Sequence, residues 1–114
     1  MTARVRQGSG CWVISIAGHA HYADEDALNS ALKTTIGTVL PAVIIDVSAL
    51  VCSGASFLHW LLTARRTHQY TDTHLILAGP LHSALRNRLN TTGLTPHFTL
   101  ADDLQAALNL AAHP

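Results

Sequence analysis

Apolar residues fall into short strand-like runs alternating with stretches of helical spacing. Arg4-Val5-Arg6 alternates, Gly8-Ser9-Gly10 is a turn signal, and Cys11 to Ala17 is apolar with β-branched Val13, Ile14 and Ile16, so the chain opens as a hairpin. Gly18 to Tyr22 is expected to leave the strand. Ala27, Leu28, Ala31, Leu32 and Ile36 recur at helical spacing, behind Asp24, Glu25 and Asp26, whose charges complement a helix dipole, and Gly37 marks the stop. After Pro41, the run Ala42 to Val47 is apolar on both faces, as a central parallel strand should be. A second helix, with Phe57, Leu58, Leu61 and Leu62 inward, is expected to end near Thr67-His68. His74 to Ala78 reads as another buried strand, closed by Gly79-Pro80. Leu81, Leu85 and Leu89 space a third helix, with Arg86 and Arg88 wet on its flanks and Gly93 after it. His97-Phe98-Thr99 reads as a short strand. Leu100, Leu104, Ala107, Leu108 and Ala111 define a last helix with Asp102 and Asp103 in its first turn.

The order β-β-α-β-α-β-α-β-α predicts an α/β fold, a mostly parallel sheet with an antiparallel N-terminal edge and about four helices, chiefly on one side. Partners of such sheets engage at the carboxyl ends of the strands, which directs attention to the loop after Val47. The 114 residues are one domain's worth, so residues 1–114 are read as a single domain with one core.

Composition narrows the function classes. Seven Lys and Arg balance seven Asp and Glu, so the broad positive field of a nucleic-acid binder is missing. The apolar runs are far too short for a membrane span, and Met1 to Gln7 has no apolar signal core. Cys11 and Cys52 fit neither a redox pair nor a zinc site, which points to a cytoplasmic protein with two reduced thiols. Eight histidines are many for this length, but none has zinc-site spacing, and they read as scattered surface residues without a metal. There is no nucleophile elbow, no glycine-rich phosphate loop and no paired carboxylates, so no catalytic residue and no cofactor is expected.

The segment Ile45-Asp46-Val47-Ser48-Ala49-Leu50, running into Ser56-Phe57-Leu58-His59-Trp60-Leu61-Leu62-Thr63-Ala64-Arg65-Arg66, resembles the core signature of STAS domains, whose best-known members are bacterial anti-sigma-factor antagonists. Leu77-Ala78-Gly79-Pro80, Leu89-Asn90-Thr91-Thr92-Gly93-Leu94, Phe98 and Leu104 to Leu108 fit the family's later blocks, so the resemblance spans roughly Cys11 to Ala111. It implies a STAS-like fold and a non-enzymatic regulatory module. Such a module binds an anti-sigma factor or a GHKL-type serine kinase, alone or as a homodimer, through the loop Cys52, Ser53, Gly54, Ala55, Ser56 and Phe57 and a helix face with His59 and Trp60. The alternative is a STAS-like ligand-sensing or scaffold subunit of a larger signalling or transport assembly.

The loop departs from the family pattern. An ungapped alignment puts Gly54 at the family's Asp, Ala55 at the hydroxyl residue that partner kinases phosphorylate, Ser56 at the second hydroxyl and Phe57 at the glycine. A gapped version puts Val51 at the Asp and Cys52 at the phosphorylated position. The ungapped version keeps every leucine of the following helix. Both lose the usual phosphoacceptor and its carboxylate, so phosphoregulation at the family site is not expected. Ser53 and Ser56 are alternative acceptors or simple helix caps, and Cys52 is a redox-sensitive thiol or a small buried hydrophobe. Phe57 is expected to enlarge the apolar contact of the loop as an interface anchor, while Trp60 fits core and partner surface equally.

Overall fold

The computed structural model describes residues 1–8, 10–20, 24–53 and 55–112, with only the backbone described for Cys52, Ser53, Ala55 and His97. Five strands form one sheet in the order β1-β2-β3-β4-β5: β1 (Thr2–Gln7), β2 (Cys11–Ala20), β3 (Ala42–Ser53), β4 (His74–Ala78) and β5 (Thr99–Ala101). β1 and β2 pair antiparallel, with Gln7 opposite Trp12, and the other neighbours are parallel. The hairpin turn is closed by Gly8 N–H donating to the Cys11 carbonyl at 2.7 Å, and Gly10 takes the left-handed φ of +77° that a side chain would oppose. The helices are α1 (Glu25–Gly37), α2 (Ala55–Tyr70), α3 (Ser83–Thr91) and α4 (Leu104–Ala112).

The pleat sorts the core into two layers. Ile14, Ile16, Val43, Ile45, Val47, Leu75 and Leu77 face α1, α2 and α3. Cys11, Val13, Ala42, Ile44, Ile76 and Ala78 face α4, which contributes Ala107 and packs Leu104, Leu108 and Ala111 around it. Val43, Ile44, Ile45, Ile76 and Leu77 are all fully buried, so the two inner strands are the centre of the molecule, as their apolar runs predict. Three helices lie on one face and one on the other.

Several boundaries differ from the sequence reading. β2 continues through Gly18 to Ala20, and β3 through Val47 to Ser53, because Ala17, Gly18, His19 and Ala20 pair with Ala49, Leu50, Cys52 and Ser53. Two shifts of register accommodate this extension. Between Ser15 and Ala17 the chain advances two residues while β3 advances three, and between Gly18 and His19 it advances one while β3 advances two. Gly18 sits there at φ +87°, the reason a glycine does not end the strand. Leu100, assigned to the last helix by its spacing, belongs to β5 and is exposed, and α4 starts at Leu104 with the Asp103 carboxylate accepting from Ala106 N–H at 2.8 Å.

The buried stripe of α1 is Leu28, Ala31, Leu32 and Thr35 rather than one including Ala27 and Ile36. α2 runs past Thr67-His68 to Tyr70, and His68 is 2 % exposed, so the histidines are not all surface residues. Among the described residues, no helix is long and apolar enough to cross a membrane.

Candidate functional site

The end of β3 and the start of α2 form the corner at which residues 52–57 lie, with Gly54 outside the described residues. Asp46 opens it. Its Oδ1 accepts from Ser48 N–H at 3.0 Å, at the first register shift, so the carboxylate satisfies a donor beside the interrupted ladder. Asp46 is half-buried, Ser48 and Ala49 are exposed and Leu50 is buried. Val51 is the extra residue of the second bulge, between Leu50 and Cys52, and it is 62 % exposed. Bulges re-aim side chains, and this one turns a β-branched apolar group out to solvent.

Cys52 and Ser53 end β3 rather than lying in a loop, and Ala55 is the first residue of α2. Ser56 is half-buried. Phe57, expected both to face inward on its helix and to serve as an interface anchor, is 1 % exposed, which bears out the inward reading and corrects the anchor. It packs in the main core, its ring 5.8 Å from that of Trp60 at an interplanar angle of 29°. Trp60 is 3 % exposed, which resolves its two readings in favour of core. The cause is the helical period: Phe57, Trp60, Leu61, Ala64 and His68 make one stripe, and all are buried. His59 is exposed on another side of α2, so the expected His59 and Trp60 pair does not form one surface. Leu58 and Leu61 are buried and Leu62 is half-buried. The Trp60 indole N–H is buried with no hydrogen-bond partner among the described residues.

No Asp, Glu, Lys or Arg occurs between Asp46 and Arg65, so residues 47–64 bring none of these charges to the corner, and Val51 is their exposed apolar projection. Among the described residues, no group of three His, Cys, Asp or Glu is placed to hold a metal ion. Cys11 is a buried free thiol, and burial pushes its pKa up, away from the reactive thiolate.

Sequence reasoning missed a cavity of about 410 Å³ at the carboxyl ends of β4 and β5, bounded by Gly79-Pro80-Leu81, α3 and the Leu100–Asp102 segment. Arg86, taken only as a wet flank, faces it together with Asn90 one turn later. Their four-residue spacing next to a strand-closing Gly-Pro was the available signal.

The family model described as STAS domain matches residues 2–107. Among solved structures, an anti-sigma factor antagonist from Mycobacterium paratuberculosis is 28% identical, with a TM-score of 0.81 over 97% of this chain and 93% of that one. The Bacillus cell fate determinant SpoIIAA in its phosphorylated form is 16% identical, with a TM-score of 0.76 over 96% of this chain and 99% of that one. A chain from the stressosome, described as a signal integration and transduction hub, is 19% identical, with a TM-score of 0.77 over 96% of both. No curated protein matches the chain closely enough to count as a relative.

Proposed function

The chain belongs to the STAS domain family, and from that premise we propose that it is a non-enzymatic interaction module of the anti-sigma-factor-antagonist type. It binds an anti-sigma factor or a GHKL-type serine kinase through residues 52–57 and the adjoining outward face of α2. The observation that carries this reading is Val51, turned out by its bulge beside a stretch free of charge. Interface cores are depleted of charged residues, and an exposed apolar side chain next to the family's docking segment fits that composition. His59 supplies a polar group nearby on α2, while Phe57 and Trp60 brace the corner from inside.

The module is not switched by phosphate at the family position. A kinase transfers its phosphoryl group to a hydroxyl, and Ala55 has none. Ser53 and Ser56 lie one or two residues out of register, in chemistry where positioning governs rate. A phosphate would add about −1.5 to −2 charges to a stretch that holds no Asp, Glu, Lys or Arg, so its absence keeps the chain in a binding-competent state.

Affinity capture from extract of the native host, read by mass spectrometry, tests the reading. The wild-type chain is expected to recover a kinase-like or anti-sigma protein, and Val51→Asp to lose it while melting at the same temperature. Recovery of neither class by the wild type overturns the proposal. Incubated with that partner and ATP, the chain is expected to keep its intact mass, and stoichiometric phosphate on Ser53 or Ser56 would overturn the unswitched state. Gly54→Asp combined with Ala55→Ser is expected to restore phosphorylation.

A further inference from the structure

The cavity at the ends of β4 and β5 uses none of the residues of the β3–α2 corner. Its volume of about 410 Å³ is in the range of small-molecule sites. Leu81, Leu89 and Leu100 line it with apolar groups, Leu89 buried in the core and Leu100 40 % exposed. Gly79 allows the backbone segments that line the cavity to approach closely: a Cβ there would sit 2.9 Å from the Leu81 nitrogen and 3.4 Å from the Ala101 carbonyl oxygen.

The polar groups around the cavity have two signs. Arg86 and Asp102 both line it and are both exposed, and neither has an ion-pair partner among the described residues. Asn90 Oδ1 accepts from Thr95 Oγ1 at 2.7 Å, which fixes the amide and leaves its NH₂ as a donor. A carboxylate is therefore met by a guanidinium and an amide, and an ammonium by a carboxylate. A polyphosphate would meet one cation and an uncompensated anion, and a simple cation would meet Arg86.

We propose that this cavity binds a small zwitterion with an apolar body, an α-amino acid being the simplest, with its carboxylate on Arg86 and Asn90, its ammonium on Asp102 and its side chain against Leu81, Leu89 and Leu100. The chain would then report the level of such a compound to whatever engages the sheet's carboxyl edge.

The test is an NMR titration of the full chain with L-phenylalanine and two analogues, 3-phenylpropanoate, which lacks the ammonium, and 2-phenylethylamine, which lacks the carboxylate. L-phenylalanine is expected to give saturable shifts at the Gly79, Leu89 and Ala101 amides, and each analogue to bind at least about tenfold more weakly. Arg86→Gln and Asp102→Asn are each expected to weaken L-phenylalanine by about tenfold while melting like the wild type, because both side chains are exposed. The absence of saturable shifts with both L-phenylalanine and L-leucine at millimolar concentration overturns the proposal. Equal binding of the three phenyl compounds also overturns it, since the site would then read only an apolar body.

Discussion

Phe57 shows how two cues in one residue can point in opposite directions. Its place in a family docking segment suggests an exposed anchor, whereas its place at the head of a helical stripe suggests core. The stripe prevails, because turning Phe57 outward would also turn Leu61 and Ala64 out of a filled interior. Phe57→Ala is therefore expected to lower stability by about 3–5 kcal/mol through the cavity it leaves, measured by denaturant unfolding. Trp60 differs, since its ring fills space but its N–H has no hydrogen-bond partner among the described residues. An unsatisfied buried donor costs about 1–3 kcal/mol, and Trp60→Phe removes that cost while keeping an aromatic ring against Phe57. It is expected to change stability by less than about 1.5 kcal/mol, against about 3–5 kcal/mol for Trp60→Ala. A loss on Trp60→Phe as large as that on Trp60→Ala would mean that the indole makes contacts beyond its ring packing.

Among the elements, the inner strands were the most legible. Val43 to Ile45 and Leu75 to Ala78 are apolar on both faces because helices cover both faces, and a continuous apolar run has few other uses in a chain this size. The second half of β3 was not legible. Its pairing with β2 is broken by two bulges, so the alternation that marks a strand drifts out of phase, and Ser48, Ala49 and Val51 look like loop. The corner could be placed from its family blocks, but the outward turn of Val51 depends on bulge geometry that periodicity does not encode.

The start of α3 makes a similar point. No Ser, Thr, Asp or Asn stands at its N-cap; instead His82 Nδ1 accepts from Leu85 N–H at 3.1 Å. That bond needs a lone pair, hence the neutral ring, and burial lowers the His82 pKa from its usual 6.5. The cap is accordingly intact above the usual histidine range and is lost as pH falls through the lowered folded value. Hydrogen-exchange protection factors at Leu85 are expected to drop across that acid window in the wild type and to stay level in His82→Asn, whose amide caps without titrating. Equal acid sensitivity in both would mean that the cap contributes nothing.

For the whole molecule, one polar contact joins helices that meet only through folding. His68 on α2 and Thr35 on α1 are both 2 % exposed, and they touch at 3.1 Å between Nε2 and Oγ1. His68 Nδ1 lies 2.7 Å from the Ala64 carbonyl, which only accepts, so Nδ1 carries a proton. In the neutral ring Nε2 then accepts from the Thr35 hydroxyl. In the charged ring Nε2 donates to that hydroxyl, which swings to the Leu32 carbonyl 2.8 Å away. Either state is fully hydrogen-bonded, so the difference between them is the charge itself. No Asp, Glu, Lys, Arg, Ser, Asn, Gln or further His or Thr is buried among the described residues, so no buried carboxylate faces the ring. Desolvation therefore lowers the His68 pKa from 6.5, with the Ala64 bond opposing it more weakly. An unfolded chain takes up a proton near 6.5 while the folded one still resists, so the unfolded state binds more protons in the interval below 6.5. Stability is thus complete above that value, falls as pH drops toward the folded pKa and levels off beneath it. Thermal melts of the His82→Asn protein are expected to lose stability as pH falls below the ordinary histidine value of about 6.5, and the additional change His68→Gln to flatten that slope while lowering the melting temperature throughout. An undiminished slope in the doubly substituted protein would assign the acid sensitivity to groups elsewhere and leave the α1–α2 contact as neutral packing.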